Sequence, residues 1–326
     1  MLAVIIPAYN RPECLREALN SLVMQTKKNF LTIVIDDCGE VDLAEVCSEF
    51  VDKLNIKCFR KKINEGPGRA RQTGLDICYN SRAKIDYVMF LDSDDMLMPN
   101  AIKKLSYEIT RNHDDIIIST ISVESKTNAD FLIAPQRSAR VWLHGKIFNT
   151  DFLKKNNIEF EKNLRGNEDV NFMIKCMALT KKVKYVEDAL YLWRDEQTSI
   201  TREHGSARDG VLGLDYIRAV CTAIIFLYKK GIDVSRHVIY GFYCYDYYQI
   251  ALARGNEITQ DVEDILKELW SIPLITKEME KIKAWDELSK HIHQFKVIDK
   301  KVYFFNETFT EWLNKYGVDW TKLWLK

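Results

Sequence analysis

The sequence predicts an α/β protein, in which a mostly parallel sheet flanked by helices is followed by a smaller all-helical domain. Four short β-rich runs lie in the first hundred residues, and the first three show little alternation of polar and apolar side chains, as in strands buried on both faces. Segments whose apolar residues have the spacing of a helix lie between consecutive runs. This alternation is typical of a parallel sheet covered on both sides. Beyond Gly205 the pattern is almost wholly helical.

The predicted elements follow one another in a regular order. The strands are Ala3–Ile6, Thr32–Ile35, Ile56–Arg60 and Tyr87–Leu91. The helices between and after them cover about 14–23, 42–53 and 67–79, with a fourth beginning after Pro99. A mixed region then contains a strand at Ile116–Ile121 and helices at Thr150–Asn156 and Val170–Leu179. A break at Glu203–Ser206 predicts a domain boundary, so we expect domains at 1–205 and 206–326.

Charge and cysteine content argue against several classes of protein. Lys+Arg and Asp+Glu both total 47, so the basic excess typical of nucleic-acid-binding proteins is absent and we expect no nucleic-acid partner. None of the eight cysteines has CxxC spacing, which predicts reduced, structural thiols. The sequence has neither a signal-peptide pattern nor an apolar run of about 20 residues, and we expect a cytoplasmic protein.

An acidic turn follows the fourth predicted strand. Asp92, Asp94 and Asp95 come directly after Leu91, at the sheet edge where parallel α/β proteins bind ligands. Clustered carboxylates repel one another unless a cation neutralises them, and oxygen ligands suit Mg²⁺ or Mn²⁺ carrying a diphosphate. A solvated turn that caps the next helix is the alternative. A phosphatase is disfavoured because Met96 stands where that motif needs Thr or Val.

Three other strand ends carry side chains suited to the same ligand. Tyr9 can offer its ring to a flat base, although core packing is the commoner role of a tyrosine. Of Asp36 and Asp37, one carboxylate can accept the N3–H of uracil and the other can orient the loop, unless they only cap a helix. Arg69 and Arg71 begin a predicted helix, where guanidinium groups can pair with diphosphate.

These motifs together resemble glycosyltransferase family 2, which has the GT-A (Rossmann-like) fold, and in particular its bacterial surface-polysaccharide enzymes. The order and spacing match over about residues 1–205. The motifs that carry the resemblance are Ile6–Asn10, Asp36–Asp37, Asn64-x-Gly66 with Ala70–Arg71, Leu91–Asp95, His144–Phe148, Asp151–Leu153, Gly166–Asp169 and Tyr191–Arg194 with Ser199–Thr201.

The resemblance implies a metal-dependent, inverting glycosyltransferase of the hexosyltransferase type. Such an enzyme moves a sugar from a nucleoside-diphosphate sugar, here expected to be a UDP-sugar, to a hydroxyl of a saccharide, lipid-linked or polymer acceptor. The cofactor would be Mn²⁺ or Mg²⁺, with Asp94 as its main protein ligand and Asp92 beside it. Residues 1–100 would bind the nucleotide, and residues 101–205 would bind the acceptor and supply the catalytic base.

The resemblance also assigns roles to single residues. Asp37 would accept from the uracil N3–H, and Asp169 would be the catalytic base, with Glu168 as its alternative. The position of Asp169 in a first helical turn predicts that the macrodipole favours its charged form. His144 or His204 is an alternative metal ligand outside the main set. The implied donor-binding residues are Pro7, Ala8, Tyr9, Asn10, Asp37, Asn64, Arg71, Asp92, Ser93, Asp94, Lys146 and Arg194.

The helical tail carries no motif tied to chemistry. Its aromatic residues favour core packing, with peripheral contact at the inner face of the membrane as the alternative. These residues are Phe304, Phe305, Phe309, Trp312, Trp320 and Trp324. Two other functions stay open, namely a non-catalytic sugar-nucleotide or glycan-binding module and a nucleotidyltransferase on a related scaffold. The sequence does not predict an oligomeric state.

Overall fold

The computed structural model describes residues 1–127, 130–137, 141–194, 211–273, 275, 295–298, 301–304 and 309–317. The chain separates into two compact units, Met1–Ser199 and Ile200–Lys326. The predicted boundary at residues 203–206 lies outside the described residues, so the division into domains 1–205 and 206–326 stays a prediction. Within the described ranges, no helix combines the length and the apolar character needed to cross a membrane.

The first unit alternates strands and helices from its first residue. Its strands are β1 (Leu2–Ala8), β2 (Phe30–Asp36), β3 (Ile56–Arg60), β4 (Tyr87–Phe90), β5 (Met96–Leu97), β6 (Ile116–Thr127), β7 (Asp130–Arg137), β8 (Lys146–Asn149) and β9 (Val183–Trp193). Its helices are α1 (Pro12–Val23), α2 (Ala44–Ser48), α3 (Pro67–Tyr79), α4 (Ala101–Asn112), α5 (Thr150–Lys155) and α6 (Glu168–Leu179). Each strand and helix expected from the sequence in this unit is therefore present, although α2 ends at Ser48 and is shorter than the predicted 42–53.

Nine strands of the described chain form one sheet, in the order β3-β2-β1-β4-β8-β6-β9-β5, with β7 paired to β6. The pairs β1–β2, β2–β3 and β1–β4 are parallel, as the sequence predicts. Beyond β4 the sheet is mixed, because β8 runs antiparallel to both β4 and β6 while β6 and β9 are parallel. The predicted α/β architecture is confirmed, with the parallel part confined largely to the first half.

Burial on both faces explains why the first strands lack alternation. Every residue of β1 and β2 is buried. One face packs with α1 and α4, as Val4 does with Leu19 and Leu105. The other face packs with α3 and α6, as Ile5 does in the cluster that contains Leu75. Since each face has its own apolar layer, most of the odd and most of the even positions of these strands are apolar, with Thr32 and Asp36 as the polar exceptions in β2.

The carboxyl ends of the central strands meet at one edge of the sheet. Backbone hydrogen bonds continue past the strands, from Asp37 N to Ala8 O at 2.9 Å and from Leu91 N to Ile5 O at 3.0 Å. The ends of β1, β2 and β4 are therefore held side by side. The chain leaves this edge through the segments that carry the predicted ligand-binding residues.

The second unit contains the helices α7 (Val211–Lys229), α8 (Val238–Ala253), α9 (Gln260–Trp270) and α10 (Phe309–Asn314). An antiparallel hairpin of β10 (Phe295–Ile298) and β11 (Lys301–Phe304) adds to the expected helices. Phe309 and Trp312 are buried, and their rings contact Tyr245. The favoured core-packing role is thus confirmed for these two aromatics, whereas Phe305, Trp320 and Trp324 lie outside the described residues.

We expect Gly74→Ala to destabilise the first unit, because α3 lies directly on β1 at this position. A Cβ on Gly74 would lie 2.4 Å from Cγ2 of Ile5, a fully buried side chain. Overpacking of this kind costs about 1–3 kcal/mol, more than the ~1 kcal/mol that alanine gains over glycine in a helix. The free energy of unfolding in urea measures the effect.

The control is a double-mutant cycle with Ile5→Ala. Removing the Ile5 side chain makes room for the new methyl group, so the double variant should lose less stability than the two single changes added together. Strict additivity, or a Gly74→Ala variant more stable than the wild type, would show that α3 is not held this close to β1.

Candidate active site

Two carboxylates at the end of β2 fix the nearby loops. Asp36 is fully buried, and its Oδ2 accepts from Nη1 of Arg60 at 2.6 Å. Asp37 accepts at Oδ1 from Nζ of Lys61 at 2.6 Å and at Oδ2 from the backbone N–H of Gly66 at 2.7 Å. Asp36 thus orients its own loop, and Asp37 ties the end of β2 to the turn that begins α3.

The end of β1 provides an exposed ring beside buried backbone. Pro7 and Ala8 are buried in the strand, whereas Tyr9 is 45% exposed. Asn10 has a left-handed φ of 51°, and its Oδ1 accepts from the N–H of Val41 at 3.2 Å. The exposure of Tyr9 leaves its ring available to a flat ligand, as the sequence predicts.

Asn64 and Ser93, two further predicted donor contacts, lie in turns at the same edge. Oδ1 of Asn64 accepts from the N–H of Gly66 at 3.1 Å, so this side chain shapes the turn before α3. Ser93 is buried in the acidic turn after β4. Their contacts with a donor stay predictions.

Asp92 begins the acidic turn and is held by two cationic side chains. Its Oδ1 accepts from Nη2 of Arg71 at 2.6 Å, and its Oδ2 lies 3.3 Å from Nε2 of His144. Burial opposes ionisation, but Arg71 and His144 outweigh it and hold the pKa of Asp92 below its usual range. The first carboxylate of the turn is therefore charged and fixed in place.

Asp95 differs from Asp92 in its partners, because neutral donors of the surrounding protein bind both of its carboxylate oxygens. Oδ2 accepts from the hydroxyl of Tyr191 at 2.5 Å, and Oδ1 accepts from the backbone N–H of Arg194 at 2.9 Å. Burial and the charge of Asp92 raise the pKa of Asp95 to about 8. The sequence predicts for Asp95 only a place among the clustered carboxylates and assigns no role to Tyr191, although both belong to the motifs that carry the family resemblance.

Asp94 points its carboxylate to a different cation. Its Oδ2 lies 2.9 Å from Nη1 of Arg11, a residue that the sequence did not single out. Burial and the carboxylate of Asp92 raise the pKa of Asp94, and Arg11 offsets this only in part. Among the contacts described, Asp94 therefore has fewer protein partners than Asp92 and Asp95. This fits a side chain that binds a ligand.

Three side chains in the described part of the chain have the spacing of metal ligands. One ligand atom each from Asp92, Asp95 and His144 lies within 4.8 Å of the others. Two carboxylates and an imidazole can bind a divalent cation such as Mn²⁺. Burial lowers the pKa of His144, but Asp92 and Asp95 raise it above its usual value overall. Asp92 belongs both to this group and to the predicted metal ligands, whereas Asp94 lies on the same turn outside the group.

Asp169 lies in the first turn of α6, as expected. Its Oδ1 accepts from the N–H of Val170 at 2.8 Å. Burial and the neighbouring charge of Glu168 raise the pKa of Asp169 to about 7. The expectation that the helix dipole favours the charged form is wrong in its net effect, because burial and like charge outweigh the dipole. A carboxylate with this pKa can still accept a proton near neutral pH.

Glu168 contacts the same arginine as the acidic turn. It is 7% exposed, and its Oε1 accepts from Nη1 of Arg71 at 2.5 Å. Burial lowers the pKa of Arg71, but the charges of Asp92 and Glu168 raise it above its usual value. One guanidinium therefore joins the acidic turn after β4 to the start of α6, where Asp169 lies.

The two remaining predicted phosphate contacts have partners inside the protein. Lys146 is fully buried and donates to the carbonyl of Trp142, and burial lowers its pKa to about 7. Arg194 pairs through its guanidinium with Glu17. Their contacts with a donor stay predictions. His204, the alternative metal ligand, lies outside the described residues.

Known proteins share both the sequence and the fold of this chain. TarS, a poly(ribitol-phosphate) beta-N-acetylglucosaminyltransferase of Staphylococcus aureus strain MW2, is 28% identical over 204 residues, which are 59% of this chain and 35% of TarS. A poly(ribitol-phosphate) beta-glucosyltransferase of Bacillus spizizenii is 26% identical over 206 residues, which are 59% of this chain and 32% of that enzyme. The chain thus matches about a third of the length of these curated relatives.

The crystal structure of S. aureus TarS residues 1–349 in complex with UDP-GlcNAc gives a TM-score of 0.62 at 21% identity, covering 94% of this chain and 97% of that one. This likeness confirms the predicted GT-A fold. The sequence profile described as Glycosyl transferase family 2 matches residues 3–185, which is more than half of the chain. The chain belongs to glycosyltransferase family 2.

Proposed function

We propose that the chain is an inverting glycosyltransferase that moves a hexose from a UDP-sugar to a hydroxyl group of a surface polymer, with Mn²⁺ or Mg²⁺ as cofactor. One observation carries the proposal. Arg71 contacts both Asp92 and Glu168, so the acidic turn and the helix that bears Asp169 converge on one place. A diphosphate-binding turn beside a carboxylate base is the arrangement that single-displacement sugar transfer needs.

The pair formed by Asp37 and Lys61 supports uracil as the base. Uracil presents a donor, N3–H, next to acceptor oxygens. Asp37 offers a carboxylate acceptor, and the ammonium of Lys61 lies 2.6 Å from its Oδ1. Cytosine reverses this pattern and would place its N3 lone pair against the carboxylate. The exposed ring of Tyr9 would stack on the base.

The acidic turn would hold the diphosphate through a divalent cation. Asp94 and Asp92 would be its ligands, as the family resemblance implies, and the imidazole of His144 is close enough to Asp92 to join them. When bound, the cation neutralises charge on the diphosphate oxygens as UDP leaves. Asp95 is the weaker candidate ligand, because Tyr191 and the Arg194 backbone bind both of its oxygens, whereas Oδ2 of Asp92 faces His144, which would itself be a ligand.

Asp169 would act as the base. The acceptor hydroxyl attacks the anomeric carbon from the face opposite UDP, and its proton passes to the carboxylate of Asp169 as the new C–O bond forms. The bond from the anomeric carbon to the diphosphate oxygen breaks, and UDP leaves with both electrons. Because this is one displacement, the configuration at the anomeric carbon inverts.

The relatives favour a polymer acceptor built from polyol phosphate. Their names describe transfer of N-acetylglucosamine or glucose to poly(ribitol phosphate). We infer that residues 1–205 form the catalytic domain, with the nucleotide bound by the first hundred residues. Residues 206–326 would serve the acceptor side or assembly.

A direct assay tests the function. The purified full chain is incubated with UDP-GlcNAc or UDP-glucose, Mn²⁺ and poly(ribitol phosphate), and the UDP released and the sugar bound to polymer are measured. We expect transfer with at least one of these donors and none with the matching CDP- or GDP-sugars. Release of pyrophosphate would identify a nucleotidyltransferase. Binding of UDP without turnover, across a panel of saccharide and polymer acceptors, would identify a binding module.

Asp169→Asn should abolish transfer while leaving donor binding intact. Loss of a general base lowers kcat by about 10²–10⁴-fold, whereas the amide has almost the same shape as the carboxylate. Transfer rates and UDP affinity by calorimetry measure the two effects. The control is Asp151→Asn on the exposed first turn of α5, which should keep full activity. Wild-type transfer by Asp169→Asn would remove this residue from the mechanism.

The pH dependence of kcat/KM should follow ionisation of Asp169. A carboxyl group accepts a proton only in its charged form, which is lost as the pH falls below its pKa of about 7. The value of kcat/KM should therefore rise roughly tenfold per pH unit below that point and level off above it. UDP affinity measured over the same range corrects for donor binding. A flat profile between pH 5 and 8 would contradict the assignment.

Asp94→Ala should weaken the metal-dependent part of donor binding. Loss of one charged ligand lowers affinity roughly 10–100-fold. UDP affinity is measured by calorimetry with Mn²⁺ and with EDTA, and only the Mn²⁺ value should fall. Tyr191→Phe is the comparison, because it removes the donor to Asp95 and should lower stability by about 1–3 kcal/mol while the response to Mn²⁺ remains. The reverse pattern would make Asp95 the metal ligand.

A further inference from the structure

We propose that Arg71 and Glu168 are positioning residues that fix the catalytic base against the acidic turn, and that Arg71 does not bind the donor diphosphate directly. The inference rests on the proposed function and deepens it. It also replaces two roles that the sequence suggested, namely a phosphate contact for Arg71 and a substitute base in Glu168.

The geometry of Arg71 leaves little of its guanidinium for a ligand. The side chain is 6% exposed, with Nη1 2.5 Å from Oε1 of Glu168 and Nη2 2.6 Å from Oδ1 of Asp92. Its Nε is buried as well, without a hydrogen-bond partner in the described ranges. Arginine binds phosphate best with two parallel N–H donors, and here each terminal nitrogen already donates one N–H to a carboxylate, while burial restricts access to the others.

Close packing between α3 and α6 is a second, independent observation. A Cβ on Gly68 would lie 2.9 Å from Cβ of Glu168. The lack of a side chain at Gly68 therefore lets Glu168 pack directly against the first turn of α3. Nearby, Oε1 of Gln72 accepts from the N–H of Phe160 at 2.9 Å. The start of α6 is therefore held against α3 by packing at Gly68 and by the Arg71–Glu168 ion pair, and the segment before α6 is hydrogen-bonded to α3 at Gln72.

The negative charges near Arg71 require a cation at this position. Asp92, Glu168 and Asp169 are carboxylates in one poorly solvated region, where like charges repel strongly. The guanidinium of Arg71 is paired with two of them. Removing one partner of such a group leaves an uncompensated charge, which costs far more than the pair contributes.

The pair also explains why Asp169, and not Glu168, is available as base. The Glu168 carboxylate is bound by Arg71 and buried, whereas the described contact of Asp169 is with the N–H of its neighbour Val170. Holding Glu168 fixes the first turn of α6, and with it the backbone from which Asp169 projects. Arg71 and Glu168 act on the reaction through Asp169 and do not themselves touch the sugar.

The test is Glu168→Gln in the full chain. We expect kcat to fall roughly 10–100-fold, while the affinity for UDP with Mn²⁺ changes less than about twofold, as for loss of an orienting partner. Because the charge of Glu168 raises the pKa of Asp169, the rise in the pH profile should move to lower pH. The shift checks that the charge of Glu168 acts on Asp169, and the fall in kcat on the plateau above the pKa, where Asp169 is charged in both proteins, measures the loss of positioning.

A double-mutant cycle with Arg71→Lys completes the experiment. Lysine lacks the planar fork that holds two carboxylates at a fixed separation, so Arg71→Lys and Arg71→Lys/Glu168→Gln should have similar kcat values instead of multiplied losses. Gly68→Ala, which pushes on Glu168, should lower kcat in the same way. The matched control is Arg16→Lys on α1, whose guanidinium pairs with Glu49 and which should behave as wild type.

Two results would overturn the inference. Wild-type kcat in Glu168→Gln would show that the pair does not position the base. A loss of UDP affinity in Arg71→Lys that accounts for the whole loss in kcat/KM would make Arg71 a direct diphosphate ligand. In both cases the wild-type chain is active, which separates these results from failure of the proposed function, where the wild type itself shows no transfer.

Discussion

The buried guanidinium of Arg71 is the interaction on which the site depends. It lies on α3, yet it binds one carboxylate from the turn after β4 and one from the start of α6. Charges inside a protein are stable only when each has a partner, because the cost of removing an ion from water is several kcal/mol. The separation between Asp92 and Glu168 is therefore set by the size of one planar group, and neither element can shift without breaking a buried ion pair.

Most of the parallel half of the fold could be predicted, because its signals are local. The runs at β1 and β2 are mainly apolar on both faces since helices cover both, and Pro67 marks the start of α3. The acidic turn and Asp37 could also be predicted as part of one site, because the carboxyl ends of neighbouring parallel strands share an edge. The family resemblance added Asp169, which no local pattern distinguishes from a helix cap.

The remainder depends on contacts between distant residues. Strand β8 inserts antiparallel between β4 and β6, and nothing in its four residues indicates those neighbours. The contacts of Arg11 with Asp94 and of Tyr191 with Asp95 join positions more than eighty residues apart. The pKa of Asp169 likewise follows from burial, which the order of residues in α6 does not reveal.

The contacts of Asp37 have a consequence for turnover. Lys61 and the turn at Gly66 hold this carboxylate in place before any nucleotide arrives. This carboxylate would lose little conformational entropy when a nucleotide binds. In the proposed enzyme, contacts with the nucleoside, and not contacts with the sugar, would therefore provide most of the affinity for the donor. The UDP product would then bind almost as tightly as the UDP-sugar donor. Its departure, and not the chemical step, would set the pace when product accumulates.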